Sequence, residues 1–501
     1  MPPALAAEVR QLLFEGPPQH QAVLLALGGA ALLLVLLALV HGQRSAAAQR
    51  KSPLRRRMSN IGMTTLVSEV ATNLSIPVSV LKIRGRVTRA EFAARLQTRM
   101  RDDPFFARFR SVVVNDDRAF VETPDFDAAR NVFAHELGDG ESPLAFVESL
   151  VNRPLDFAKP LWEAHVIADA ADETATNIAW KLHHCIGDGA SLSTALIRLS
   201  DNKDQFDEMI RRMQQRSGGD GGAAANSLRE ALAGAAHVLT LCAWSAYVIA
   251  KKSLVLCFRA EPTTMFKRQG GTAKHLSYTV QYSVATTKQI GHQFDATVND
   301  VMLSCVAGAM RKTMLAAGQR VAPGLVVRAA VPVDMRSSTE VIESAHNKFS
   351  ALVVDFPVGV ADGAKRLRMV QAGMHEAKCS LEKHFTYALS HVVAKLPAPL
   401  MKAVVHFTSS RISVAVSNVR GSSFEVSMCG KPVIGFYGFV PPPPSVNLGI
   451  AILSVGDDLG LNVLVDPSVG IDSTQFLEFA NDEYEALRRQ ALDTPESKKD
   501  K

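Results

Sequence analysis

The sequence predicts an α/β protein of two domains, preceded by a membrane-spanning helix. Three observations predict it. The chain has 501 residues, more than one hydrophobic core ordinarily serves. Strand-like and helix-like apolar patterns alternate over most of its length, as α/β folds require. Ahead of them, residues 22–40 form an uncharged run of Leu, Ala, Val and Gly.

The composition, 47% hydrophobic and 21% charged, is that of a globular chain. The net charge of +6 is modest and much of it falls in one segment, which excludes a general nucleic-acid binder. The six cysteines (Cys185, Cys242, Cys257, Cys305, Cys379 and Cys429) are scattered, with no Cys-x-x-Cys. This fits a reducing compartment and argues against a zinc site or a disulfide framework. No metal is expected.

Residues 1–21 precede the apolar run 22–40. At ~1.5 Å per residue the run reaches ~28 Å, about the thickness of a bilayer core. After it, residues 41–60 carry Arg44, Arg50, Lys51, Arg55, Arg56 and Arg57 and no acid. Only Arg10 stands before it, against Glu8 and Glu15. By the positive-inside rule the segment is a basic linker on the cytosolic side, and everything after residue 41 is cytosolic. Ala46-Ala47-Ala48 resembles a signal-peptide cleavage site. However, the charge asymmetry is reversed and the run is long for a signal peptide, which favours an anchor.

Residues 61–215 read as a first half. Val78 to Ile83 alternates like a strand, and Thr88 caps a helix with Phe92, Leu96 and Met100 on one face. Ser111 to Val114 and Ala119 to Val121 read as a hairpin around Asn115-Asp116-Asp117. The two prolines in Pro154-Leu155-Asp156-Phe157-Ala158-Lys159-Pro160-Leu161-Trp162-Glu163 impose an extended path. Trp162 then enters a strand through Ala168; from composition alone it is a core residue.

The chemistry concentrates in Lys181-Leu182-His183-His184-Cys185-Ile186-Gly187-Asp188-Gly189. Asn177 to Leu182 reads as a buried strand and Leu192 to Leu199 as a helix. The motif therefore sits where a strand ends and a helix begins, a frequent place for catalytic groups. A neutral imidazole suits proton removal from a hydroxyl near pH 7 and contributes roughly 10²–10⁴-fold in rate. Asp188 is expected to point back and fix the loop, and Gly189 to supply a backbone conformation a Cβ would oppose. The competing reading is a core histidine pair beside an Asp-Gly turn.

Residues 216–270 form a crossover. Ser217 to Ser227 is Gly- and Ala-rich, a surface loop, and Leu228 to Cys257 is a long apolar stretch interrupted by Lys251-Lys252. His237 and the paired lysines oppose a clean span, so an interfacial helix is preferred over a second span or a buried helix. Residues 271–490 form the second half. Ser277 to Val284 and Val326 to Val333 read as strands, and Asn299 or Asp300 as the cap of a helix through Met310. Pro441 to Pro444 is a stiff bend, and residues 491–501 are a charged tail.

His183-His184-x-x-x-Asp188-Gly189 resembles the active-site motif of the wax ester synthase/diacylglycerol acyltransferase family, part of the wider coenzyme A-dependent acyltransferases. Four further elements follow in the family's order. These are the Pro-Leu-Asp…Pro-Leu-Trp-Glu stretch ending at Glu163, Thr297-Val298-Asn299-Asp300-Val301, Asn347-Lys348-Phe349, and Ser417-Asn418-Val419-Arg420-Gly421. The last departs from the family's Ser-Asn-Val-Pro-Gly turn at Arg420, and Ser454-Val455 stands where Ser-Tyr is frequent. These departures alter the acceptor pocket, not the base.

The resemblance covers roughly residues 60–490. It implies two chloramphenicol-acetyltransferase-like halves with a central tunnel, coenzyme A entering from one side and the acceptor from the other. His184 is then the base, with His183 shaping the pocket. Asp188 completes the catalytic set, held by Arg336 in Pro332-Val333-Asp334-Met335-Arg336. Gly189 and Asn299 are supporting residues, and Trp162, Ser417 and Asn418 bind substrate. Asn299 and Ser417 are also oxyanion-donor candidates. The implied partners are acyl-coenzyme A as co-substrate, a fatty alcohol or diacylglycerol, and the lipid bilayer. The anchor and the location of acyl-coenzyme A point to the cytosolic face of the endoplasmic reticulum, and a bacterial inner membrane fits the same charges. No separate cofactor is implied, and oligomeric state is left open. The alternatives are a same-fold acyltransferase using a sterol, a small alcohol or a carrier-bound substrate, and a non-catalytic membrane scaffold.

Overall fold

The computed structural model describes residues 55–492 apart from 115–117, 139, 170–171, 173, 218–227, 338–339 and 423. The expected membrane span 22–40, most of the basic linker, the Gly-rich loop, the hairpin turn 115–117 and the tail from 493 lie outside the described residues.

The first lobe contains β1 (Arg55–Arg57), α1 (Asn60–Ser68), β2 (Val78–Arg84), α2 (Arg89–Arg101), β3 (Ser111–Val114), β4 (Ala119–Glu122), β5 (Val132–Leu137) and α3 (Pro143–Leu150). Then come β6 (Trp162–Asp169), β7 (Ala175–Leu182) and α4 (Gly189–Leu199). Helices α5 (Lys203–Ser217) and α6 (Leu228–Phe258) lead to the second lobe. It begins with β8 (His275–Ser283), α7 (Val284–Gln293), α8 (Val298–Ala316), β9 (Val327–Asp334), β10 (Phe349–Phe356) and α9 (Gly363–Lys378). After α10 (Glu382–Val393) and α11 (Ala398–Ser410) come β11 (Val414–Arg420), β12 (Ser427–Met428), β13 (Lys431–Phe439), β14 (Leu448–Val455), β15 (Asp458–Val465) and α12 (Ser473–Leu492).

Two six-stranded sheets carry these lobes, in the orders β12-β13-β2-β7-β6-β5 and β10-β9-β11-β14-β15-β8. Strand β7 is buried at every position, as an inner strand covered on both faces must be. The capping box of Thr88 and Glu91 starts α2, and Phe92, Leu96 and Met100 enter the core from its apolar stripe.

The division of the chain differs from the linear one. Arg55–Arg57 belong to the fold, pairing with β4 in a small sheet, so the first lobe starts inside the segment read as linker. Strand β13 leaves the second half and pairs antiparallel with β2, Phe439 opposite Val78. The prolines 441–444 carry the chain back to β14, and without amide protons they cannot extend the ladder. The run from Ser417 to Arg420 is strand rather than turn, pairing in parallel with β14.

Helix α8 is the buried axis of the second lobe, with Val301 to Met310 inaccessible on all sides. Its N-cap is Thr297, not Asn299 or Asp300. The Thr297 hydroxyl accepts from Asp300 N, and the Asp300 carboxylate accepts from Thr297 N at 2.9 Å. Beside α8, the fully buried Arg366 donates to Ser304 O at 3.1 Å and Val360 O at 3.0 Å, and pairs with Glu483 of α12. Arg366→Met should leave three carbonyls without this donor and Glu483 with Lys312 alone, a loss of about 3–5 kcal/mol. A denaturant melt checks it; a shift below 1 kcal/mol would show the pair to be dispensable.

Candidate functional site

Strand β7 delivers its last residue, Leu182, to the seam between the lobes, and His183 and His184 follow. Backbone bonds fix both: His183 N donates to Leu161 O at 2.9 Å and His184 N to Ser75 O at 2.7 Å. Asp188 then caps α4, its Oδ1 accepting from Ser191 N at 3.0 Å.

The second oxygen of Asp188 faces the other lobe. It accepts from Arg336 Nη1 at 2.9 Å and from Lys348 N at 2.7 Å. Arg336 Nη2 also donates to His346 O at 2.8 Å. Asp188 is 4% exposed, so a charged partner is required there. It is a positioning residue: its recorded contacts are to the loop, α4 and the second lobe.

This network places Asn347 against the imidazole of His184. Asn347 Nδ2 donates to His184 O at 3.0 Å and to Cys185 O at 3.3 Å. Its oxygen is thereby turned toward His184 Nδ1, 3.3 Å away. On this network Nδ1 carries the proton and Nε2 keeps its lone pair. Burial pushes the His184 pKa below its ordinary value, outweighing its own carbonyl and Asp188. The ring is thus held neutral, with one nitrogen ready to accept a proton.

His183 is fixed the other way. Its Nδ1 accepts from Cys185 N at 3.0 Å, and its Nε2 donates to Glu69 Oε1 at 3.0 Å. Both nitrogens are occupied and the residue is 1% exposed, so it supports the loop rather than reaching a substrate.

His184 lines a cavity of about 760 Å³ between the lobes, open mouth included. Trp180, Leu182 and Leu192 line it from the first lobe, Ser417, Val419 and Leu453 from the second, and Phe436 and Phe439 from β13. Apolar walls with few polar groups suit a hydrocarbon chain meeting a reactive centre.

The other expected site residues fall as follows. Ser417 lines the cavity with His184. Gly189 does too, but it is the first helical residue and needs no left-handed backbone. A Cβ there would come within 2.9 Å of Val419 Cγ2, so close packing of α4 on β11 requires the glycine. Trp162 does not line this cavity. It is fully buried, donates to Phe109 O at 2.8 Å and packs edge-on against Trp180. Trp180 lies between it and the cavity, with an indole N–H that has no partner among the described residues. Asn418 faces away from the cavity, as the alternation of β11 demands, and donates to Asn299 Oδ1 at 2.9 Å. Neither asparagine lines the cavity.

Three residues here received no role from sequence: Asn347, Glu69 and Trp180. Asn347 stood in a recognised element. Glu69 has no local signal, because its partner is 114 residues away.

The chain matches the description wax ester synthase/diacylglycerol acyltransferase catalytic domain over residues 37–302, and the C-terminal domain of the same family over 345–488. A probable diacylglycerol O-acyltransferase of Mycobacterium tuberculosis is 27% identical over 370 residues, 71% of this chain and 78% of that protein. Wax ester synthase/diacylglycerol acyltransferase 1 of Arabidopsis thaliana is 25% identical over 70% of this chain and 77% of its own length. The structure of the wax ester synthase/diacylglycerol acyltransferase from Marinobacter aquaeolei VT8 superposes with a TM-score of 0.58 at 17% identity, covering 87% of this chain and 99% of that one. That likeness establishes the two-lobed α/β acyltransferase fold. The chain belongs to the wax ester synthase/diacylglycerol acyltransferase family of enzymes.

Two outcomes follow from the geometry. Burial lowers the His184 pKa, so if its neutral ring is what the reaction requires, the acid limb of kcat/KM should lie below the ordinary imidazole value of 6.5. Asn347→Asp, which favours the charged ring, should move that limb to higher pH; an unmoved limb would place the titrating group elsewhere. Second, Asp188→Ala and Arg336→Ala should each cost about 3–5 kcal/mol of stability, and the double variant distinctly less than their sum. Additive losses in a thermodynamic cycle would deny the coupling.

Proposed function

We propose that this protein transfers a fatty acyl group from acyl-coenzyme A to a long-chain alcohol, to the free hydroxyl of a diacylglycerol, or to both. His184 is the general base. The observation that carries the reading is the His184 imidazole, its Nδ1 3.3 Å from Asn347 Oδ1, in an apolar cavity lined by both lobes. The activities for which the mycobacterial and Arabidopsis relatives are named support the choice of acceptors.

His184 Nε2 takes the hydroxyl proton as the acceptor oxygen attacks the thioester carbonyl. The carbonyl electrons move to oxygen and a tetrahedral oxyanion forms. When it collapses the C–S bond breaks, the sulfur takes the proton from the imidazolium, and ester and free thiol leave. No covalent enzyme intermediate is needed. Ser417, on the cavity wall, is the remaining oxyanion-donor candidate; Asn299, tied to Asn418 outside it, is dropped.

The site works at a membrane in this reading, because such acceptors reside there. The apolar run 22–40 is the proposed anchor, and the basic residues after it favour a cytosolic catalytic part; the endoplasmic reticulum or a bacterial inner membrane fits the same charges.

The test is a membrane-fraction assay with labelled palmitoyl-coenzyme A and with hexadecanol and dioleoylglycerol in competition. Label should enter wax ester or triacylglycerol, and His184→Ala should lower the rate by about 10²–10⁴-fold with the protein still folded. Near-wild-type turnover by His184→Ala would remove the base assignment. Absence of label from both lipids with a folded enzyme would redirect the search to another acceptor.

A further inference from the structure

Helices α6, α10 and α11 leave an unusual surface. Of the thirteen exposed large hydrophobic residues among those described, seven lie on these three helices: Val238, Leu239 and Phe258 on α6, Leu389 and Val392 on α10, and Leu400 and Phe407 on α11. Apolar exposure concentrated in this way marks an interaction face.

The three helices are neighbours. Leu381 N, just before α10, donates to Ser245 Oγ of α6 at 2.9 Å, and Lys252 Nζ pairs with Glu382 at 2.6 Å. At the other end Arg411, just past α11, donates to Cys257 O of α6 at 3.5 Å. The middle of α6 is packed against protein, with Trp244, Val248, Ile249 and Ala250 buried, and its exposed apolar residues lie toward its two ends. His237–Phe258 is long and apolar enough to cross a membrane by length and composition. With its middle packed on protein, however, it is not free to be surrounded by lipid.

Cations predominate on these helices, with Glu376 of α9 reaching Lys251 from beside them at 3.1 Å. From His237 to Arg259 there is no acidic residue, and from Ser380 to Arg411 only Glu382, which is buried and paired with Lys252. Lys395, Lys402 and Arg259 are exposed among the apolar side chains. Apolar side chains interleaved with cations suit an interface of acyl chains and anionic headgroups. A protein partner would need an acidic, apolar counterface, and nothing in the structure supplies one.

We propose that the outer face of α6, α10 and α11 docks on an anionic lipid surface, as a second membrane contact separate from the run 22–40. It rests on the lipid-acceptor reading for its purpose, but its test involves no substrate. In the full-length chain, the four cysteines that are not buried (Cys242, Cys257, Cys379 and Cys429) are changed to Ser. A polarity-sensitive dye is then attached at Leu400→Cys, at Phe407→Cys, or at Leu315→Cys, an exposed position on α8. With phosphatidylcholine vesicles containing phosphatidylglycerol, emission should shift to the blue at 400 and 407 and stay unchanged at 315. Lys395→Glu with Lys402→Glu should abolish the shift while acyl transfer in detergent persists. Unchanged emission at 400 and 407, whether or not the chain sediments with the vesicles, would overturn the proposal. So would an equal shift on phosphatidylcholine alone or at 315. Loss of acyl transfer with the shift intact would fail the functional reading and leave the docking face standing.

Discussion

The carboxylate of Asp188 is the constraint from which the site is built. One oxygen ends its own loop by capping α4, and the other receives Arg336 and the Lys348 amide from the opposite lobe. A buried carboxylate with fewer donors would be unfavourable by several kcal/mol, so the two lobes are held in one register. That register carries through the backbone. Arg336 grips His346 O, Lys348 N reaches Asp188, and Asn347, between them, is pinned with its amide toward the His184 loop. A charge that never meets the imidazole thus decides which of its nitrogens carries the proton. His183, tied to Glu69 and Cys185 N, stiffens the same loop from the other side.

Much of this was legible wherever the signal was local. The strand before the histidines, the helix after them and the capping box at Thr88 are each set by neighbours within a turn or a few residues. The role of Asp188 was legible too, since an acid before a helix has a cap to fill. The errors are informative in the same terms. Thr297 and Asp300 make a capping box three residues apart, and the signature was present, but a neighbouring Asn and Asp are equally good caps by residue type alone. Gly189 was assigned to backbone freedom when its reason is Val419, 230 positions away and in the other lobe. Trp162 and Trp180 stand two strands' worth of sequence apart, and only the pairing of β6 with β7 shows that one shields the other from the cavity.

The hardest feature to read was the exchange of β13. Its period-two pattern identifies a strand but holds no information on which sheet receives it. The receiving edge is β2, more than 350 residues earlier by the register of Phe439 on Val78. The consequence is functional. Phe436 and Phe439 of β13 form part of the cavity wall, so a segment from the second half of the chain lines the first lobe's side of the site. The helices α10 and α11 received no assignment from sequence at all, because their apolar residues serve two faces: Ala388 and Met401 are buried, while Leu389 and Leu400 beside them are exposed. Apolar residues on both sides blur the periodicity on which a helix reading depends.

A base set in an apolar cavity raises the question of where its proton goes. On the proposed mechanism the answer lies within the reaction. The acceptor hydroxyl gives up one proton and the departing sulfur takes one, so turnover requires no net exchange with solvent. His184 therefore needs no path to water, only a neutral resting state and two reactants at one nitrogen. Burial supplies the first by lowering its pKa, and the cavity between the lobes supplies the second. The same low-polarity surroundings strengthen every dipole aimed at the developing oxyanion. A site that exchanged its proton with bulk water would need a wetter wall, and a wetter wall would oppose the entry of a long hydrocarbon acceptor. A lowered pKa and an apolar lining are thus one requirement met two ways.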